Sequence, residues 1–575
     1  MAKFLIGVLV GIVIVVVIVA VLIFAVARFF ETKQPTVAAN SALVLSLTGS
    51  LPEAAPLEIP LPFLRSANTP TIRDIWASLR NAAADHRIKA VVLEPDNLSA
   101  GWGKLEELRQ DLEDFKKSGK PVYALLQTPG SKAYYLASAA DKIYLSPDDV
   151  LNVKGFRASE LYFKNTLDKL GVSVYVDHIG QYKDAGDIFT RTNMSPQTQE
   201  VLGQVVGQIY GDFSSTVAQG RHESVDGVQA LIDQGPFMAG QAKTDGLIDQ
   251  IGYSDQLYSD LEKVTHTEKL NRVTIGKYYR AFSQSGDKIA LLVGEGDIIR
   301  GDGRGGLSSQ AVIASGPFIK TIREIRNDSG IKGVILRIDS PGGDAIASDE
   351  ILRELKLLSA AKPMVISMSD LAASGGYYIA STGDPIVAYP DTITGSIGVL
   401  FVMPNIHGLF DKLGITEDSV TRGQHANIDS PYTPLSDAAK QKLHQGLVDV
   451  YNTFVGKVAK ARNETPAQIQ PIAQGRVWMG AQAKQNGLVN RLGGLDTAIA
   501  LVRQRAHLPV NGATDLVLYP PRRSLLDVLT GGSSSEPVAD ALAERSIRKR
   551  IPDLPGPAML KGGVLELLPY KFHVQ

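Results

Sequence analysis

The chain runs to 575 residues, carries 59 basic against 60 acidic side chains and contains no cysteine. That length is too great for one ordinary core and calls for about two to four folding units. The near-cancelled charge argues against the large single-sign surface that nucleic acid demands, and the missing cysteines exclude disulfides, thiolate metal sites and a cysteine nucleophile.

From Phe4 to Ala27 the sequence is FLIGVLVGIVIVVVIVAVLIFAVA, without a charge or an amide. As a helix it is long enough to cross the roughly 30 Å hydrocarbon core of a bilayer. A cleaved leader is the alternative, with a small-residue box at Ala25–Ala27. Cleavable apolar cores span only about 7 to 15 residues, so an uncleaved single-pass anchor is the expected reading. Lys3 before it and Arg28, Glu31 and Lys33 after it leave its orientation weakly encoded.

Beyond a Pro- and Ala-rich stretch, short Val/Leu/Ile runs alternate with helical patterns. KAVVLEPDN and KPVYALLQT read as buried strands, and GKLEELRQDLEDFKKSG between them reads as an amphipathic helix closed by glycine. The second half replays the order with KGVILRIDS, SDEILRELKLLSAA and KPMVISMSD. Alternation of this kind predicts an α/β sheet with crossover connections. The replay is also exact in register: a shift of 243 carries Ser131 onto Ser374, Tyr134 and Tyr135 onto Tyr377 and Tyr378, Asp141 onto Asp384, and Gly180 onto Gly423. After a small insertion a shift of 241 carries Ala242 onto Ala483. The period is far longer than a solenoid's, so two homologous domains are expected. The expected division is an anchor and linker over 1–40, domains over 41–285 and 286–518, and a linker and tail over 519–575. GDGRGG at Gly301–Gly306 lacks the helix signature of a phosphate site and reads as a surface loop.

The two copies differ where chemistry would occur. Ser374 is followed by Gly375 and Gly376, whereas Ser131 is followed by Lys132 and Ala133. Glycines let backbone approach a substrate and aim an amide at developing negative charge. DSPGGD, Asp339–Asp344, ends a strand in the second copy only, and Gly343, or less favourably Gly342, could pair its amide with that of Gly375. A serine nucleophile needs a base. His425 is one candidate, without a recognisable aspartate to orient it. Lysine is the other: the shift of 243 takes Lys183 onto Ala426, and no lysine occurs between Lys412 and Lys440. Each copy keeps what the other lost, which predicts one composite site built from Ser374 and Lys183. A lysine base must be neutral, and that requires roughly 4 kcal/mol of differential destabilisation of the ammonium, which burial at an interface can supply. Asp184 and Asp187 are therefore expected to turn away from the amine. Ser396, where the first copy has Val153, could orient the lysine or relay its proton.

In that order DSPGG, AASGGYY and TGSIGV, with Tyr182–Lys183 upstream, resemble the signal peptide peptidase A (protease IV) family in its long, duplicated bacterial form. The resemblance implies tandem Clp protease/crotonase-like α/β domains behind a transmembrane helix, and a Ser/Lys dyad split between them. It assigns Ser374 as nucleophile, Lys183 as general base, Ser396 as helper and Gly343 with Gly375 as oxyanion hole. It also implies a bowl-shaped homotetramer at the bacterial inner membrane, its catalytic domains periplasmic, that cleaves remnant signal peptides. No metal, cofactor or nucleic-acid partner is expected. Two rival readings are a crotonase-like acyl-CoA enzyme, which would leave the Ser374/Lys183 complementarity idle, and a non-catalytic membrane scaffold.

Overall fold

The computed structural model describes Gly11 and residues 35–54, 70–282, 285–302, 311–521 and 563–567. The expected membrane segment apart from Gly11, the end of the GDGRGG stretch and most of the tail lie outside the described residues. Among the described residues no helix is long and apolar enough to cross a membrane.

In chain order the strands that matter here are β1 (Ser41–Gly49), β2 (Ile88–Leu98), β3 (Val122–Leu126), β4 (Lys142–Leu145) and β5 (Ser173–Ile179) in the first half. The second half holds β6 (Asp287–Glu295), β7 (Gly333–Ser340), β8 (Gly342–Asp344), β9 (Met364–Ala373), β10 (Ile393–Gly395) and β11 (Val399–Asn405), and the tail adds β12 (Gly563–Leu567).

One parallel sheet has the order Gln250–Ile251, β4, β3, β2, β1, Asn271–Thr274. A second repeats it as Arg491–Leu492, Ile386–Ala388, β9, β7, β6, Thr514–Tyr519, all parallel. The strands read as unbroken apolar runs, Val91–Leu93 and Val334–Leu336 being fully buried, because parallel strands are covered on both faces. The helices repeat as well. Pro196–Arg221 and Asp437–Arg462 are each 26 residues long, each capped by a serine hydroxyl, Ser195 or Ser436, and each ended by a left-handed residue, His222 or Asn463. Those equivalents are 241 apart, the shift found in the sequence.

The two halves interlock rather than sit side by side. The amphipathic helix expected between β2 and β3 is α1 (Trp102–Lys116), and its polar side is buried too. It faces the second half: Lys104 Nζ lies 2.7 Å from Asp339, and Asp370 accepts hydrogen bonds from the Gly101 and Lys104 amides, both at 2.7 Å. Arg337, fully buried on β7, sits between Glu53 at 2.8 Å and Glu107, and its two terminal nitrogens also donate to the hydroxyls of Ser367 and Ser369. Buried charges survive only when matched in this way. A third sheet mixes both halves and the tail in the order Val312–Ala314, Asp297–Ile299, β8, β12, β11, β5, with β5 antiparallel to β11 over Ser173–Ile179 and Val399–Asn405. That pairing brings the loop after β5 onto the second half's serine turn.

Candidate active site

Ser374 stands at the turn between β9 and the helix α2 (Gly375–Ala380), with φ 55° and ψ −117°. This is a conformation a side chain adopts at a cost of about 1–3 kcal/mol, and such strain gathers at functional turns. The turn is tied down on both sides, the Ser374 amide donating to Gly395 O at 2.8 Å and the Tyr378 amide donating to Ser374 O at 2.8 Å. Its counterpart Ser131 lies inside an ordinary helix, Ser131–Ala137. The glycines explain the difference. A Cβ at Gly376 would come within 2.6 Å of the Ser340 carbonyl oxygen, so the helix can approach β7 this closely only without one.

Lys183 reaches the same point from the first half, and it does so within one chain. Its Nζ lies 2.6 Å from Ser374 Oγ, 2.9 Å from Ser396 Oγ and 3.0 Å from Ser396 O. All three residues are fully buried. The loop carrying Lys183 follows β5 and is pinned by the Tyr182 amide donating to Gln474 O at 2.9 Å. Ser396, just after β10, also has a positive φ of 50°, and its amide donates to Arg476 O at 2.7 Å. The neighbouring carboxylates have other partners: Asp187 pairs with Arg191 at 3.6 Å, and Asp184 accepts from Ser195 at 3.2 Å and from Thr198. His425 Nδ1 makes no hydrogen bond among the described residues.

The glycine strand closes the site. A side chain on Gly375 would lie 3.0 Å from Gly342 Cα and 3.1 Å from Gly343 N, so the Gly343 and Gly375 backbones are immediate neighbours. The Gly342 amide donates to Ser340 Oγ at 3.2 Å, and that hydroxyl donates to Gly296 O at 2.7 Å. The Gly342 amide therefore already has a side-chain partner, while Gly343 lies in register with Ile298 on one side and Glu566 on the other. Behind the strand, burial together with the carboxylates of Asp370, Glu295 and Glu53 pushes Asp339 up to about 7, against the pull of Lys104.

Sequence reasoning missed the residues that hold the lysine loop. Gly475 has φ 73°, and a Cβ there would lie 2.6 Å from Lys183 Cβ and 2.7 Å from its amide nitrogen. Arg476 stacks its guanidinium over the Tyr182 ring at 4.6 Å and pairs with Glu200 at 2.8 Å. The available signal was the dipeptide Gln474–Gly475, which repeats Gln234–Gly235 of the first half.

Residues 114–268 and 356–509 each match Peptidase family S49. The chloroplastic serine protease SPPA of Arabidopsis thaliana is 34% identical over 510 residues, covering 87% of this chain and 74% of that one. Protease 4 of Salmonella typhi is 36% identical over 455 residues, 76% of this chain and 72% of its own. The solved structure of ClpP1 from Listeria monocytogenes covers 36% of this chain and 91% of its own at 13% identity, with a TM-score of 0.22 that is too low to define the fold. Two matched regions in tandem, and relatives similar over most of both chains, establish that the chain belongs to peptidase family S49.

Proposed function

We propose that the chain is a serine endopeptidase working through a Ser374/Lys183 dyad, tethered to a membrane by residues 4–27 and acting on signal peptides left behind after their release. The observation that carries the dyad is the 2.6 Å approach of a fully buried amine from one half to a fully buried hydroxyl from the other. Burial removes water from the ammonium and favours the neutral amine. A neutral amine has two N–H bonds and one lone pair. Ser396 O and Oγ can accept the two N–H bonds, leaving the lone pair for the Ser374 proton.

As Ser374 Oγ attacks a peptide carbonyl, its proton passes to Lys183 Nζ, and the carbonyl oxygen gains charge facing the Gly343 and Gly375 amides. The ammonium then protonates the leaving amine. An acyl-enzyme remains until water, losing its proton to the same amine, releases the carboxylate product. Ser396 orients the amine. Signal peptides are apolar and stay near the bilayer, so a tethered peptidase would meet them there; assembly into a homotetramer belongs to the same proposal.

The test is covalent labelling of the detergent-solubilised full chain with a fluorophosphonate, read by mass spectrometry of the modified peptide. Adduct on Ser374, lost in Ser374→Ala and in Lys183→Met, is the expected result. Peptide hydrolysis that survives both substitutions would overturn the proposal, and an unlabelled, inactive chain that binds acyl-CoA would favour the crotonase-like alternative.

A further inference from the structure

β7 and β9 run side by side toward the active site, and their ladder breaks just before they reach it. Ile338 pairs with Met368 and Ser340 with Ala372, so Asp339 stands against Ser369, Asp370 and Leu371 together. A bulge of this kind bends the strand that carries it and re-aims the residues beyond. Here those residues are the reacting ones: Asp339 lies four positions before Gly343, and Asp370 lies four positions before Ser374.

The break is bridged from the other half. Lys104 Nζ of α1 lies 2.7 Å from Asp339 and 3.6 Å from Asp370, and the Gly101 and Lys104 amides at the start of α1 both donate to Asp370 at 2.7 Å. One ammonium thus joins the strand that enters the glycine turn to the strand that enters the serine turn, where their own backbone bonds lapse. Burial works against its charge, but Asp339, Asp370, Glu53 and Glu295 outweigh it and hold the pKa of Lys104 above the usual lysine range. The fit is close, since a Cβ on Gly101 would collide with the Asp370 carboxyl. The first copy has nothing equivalent. Under the shift of 243, Asp339 answers to Asp96 and Asp370 to Gln127, and both of those are exposed. The bridged carboxylates belong only to the half that keeps the nucleophile.

Resting on the peptidase reading above, we propose that Lys104 is a positioning residue for the reaction: its ammonium, held by Asp339 and Asp370, fixes the spacing between the glycine strand and the Ser374 turn. It touches no substrate. A change in that spacing misplaces the backbone amides against the oxygen that gains charge, so its effect falls on the transition state and leaves peptide binding alone. The first half therefore sends two lysines into the second with opposite tasks, Lys183 to take a proton and Lys104 to keep one.

Lys104→Met alone strands two buried carboxylates and can cost the fold, so the deciding variant in the full chain is Lys104→Met/Asp339→Asn. It removes the bridge without leaving an uncompensated pair, and Asp370 keeps its two amides. Its Tm is expected within about 3 °C of the parent's, while kcat for a reporter peptide falls about 10²-fold with KM unchanged. A peptide aldehyde, whose carbonyl carbon adds Ser374 Oγ, is expected to bind about 10²-fold more weakly, and the carboxylate product peptide to bind as before. Gly101→Ala, which displaces Asp370 without altering a charge, is expected to show the same split. Parental kcat in a double variant of parental Tm would overturn the proposal, because the ammonium would then only neutralise buried charge. If the parent neither hydrolyses peptide nor labels at Ser374 with a fluorophosphonate, the peptidase reading falls instead. Hydrogen exchange still decides the bridge in that case: faster exchange confined to residues 339–344 and 370–376 in the double variant supports it, and unchanged exchange there removes it.

Discussion

Lys183 differs from an ordinary buried lysine in what surrounds its amine: two hydroxyls and a carbonyl within 3.0 Å. A base here must give up and regain a proton, which a guanidinium cannot do and a thioether cannot do at all. Under the proposed dyad, Lys183→Met keeps most of the volume and removes the base, so kcat should fall by about 10²–10⁴. KM for a reporter peptide should hardly move. Ser374→Ala should fall at least as far, and the double variant should be no worse than the single ones, because the two groups act as a unit. Additive losses in that cycle would mean that the lysine serves some other purpose. Ser396→Ala removes one acceptor from the amine but not the carbonyl, so a smaller loss of kcat, about tenfold, is expected, with partial recovery in Ser396→Thr.

At the scale of single elements, the site depends on turns that only certain residues permit. The loop bearing Lys183 packs on Gly475, whose φ of 73° and lack of a Cβ admit the lysine backbone. Gly475→Ala adds strain and a contact at 2.6–2.8 Å from Lys183 atoms, which must push the loop away. A displacement near 1 Å can cost about 10² in rate. Activity is therefore expected to drop by about that factor while circular dichroism stays unchanged. Full activity in Gly475→Ala would show that the loop position is not set there.

This contrast also explains what was legible in the sequence. The strands, the doubled order and the Ser374, Lys183, Ser396 set were readable because duplication prints a comparison inside one chain: glycines kept beside one serine and a lysine kept in one half. Gly475 showed only as half of a repeated Gln–Gly dipeptide, because a positive φ demanded by a partner some 290 residues earlier leaves no local pattern of its own. Nor was the tail strand, since five residues carry too little periodicity to be told from a linker. The buried Arg337, Glu53 and Glu107 cluster was equally hidden, since each looks like a surface charge until the halves are docked.

Across the whole molecule, the docking of the halves brings amine and hydroxyl together, and part of that junction is acidic. Asp391 in the second half is 2% exposed; Gln208 donates to it at 3.1 Å, and its amide donates to Glu106 at 2.9 Å. Burial, then the charge of Asp212 and a hydrogen bond with it, push the Asp391 carboxyl up to about 8, and burial with Asp391 beside it raises Glu106 as well. The folded protein thus holds a proton on Asp391 that the unfolded chain releases near pH 4. Unfolding between pH 4 and pH 8 therefore releases that proton, and the stability it contributes is complete below pH 4 and is lost as pH rises through about 8. Asp391→Asn mimics the protonated carboxyl at every pH. Its Tm should match the parent's near pH 4, exceed it increasingly toward pH 8 by about 2 °C or more, and differ by a constant amount above that. Thermal scans of both proteins from pH 4 to pH 9 decide it. A difference that is flat across the range, or that favours the parent at high pH, would mean that Asp391 is ionised within the junction and that the acidic contact between the halves is held in some other way.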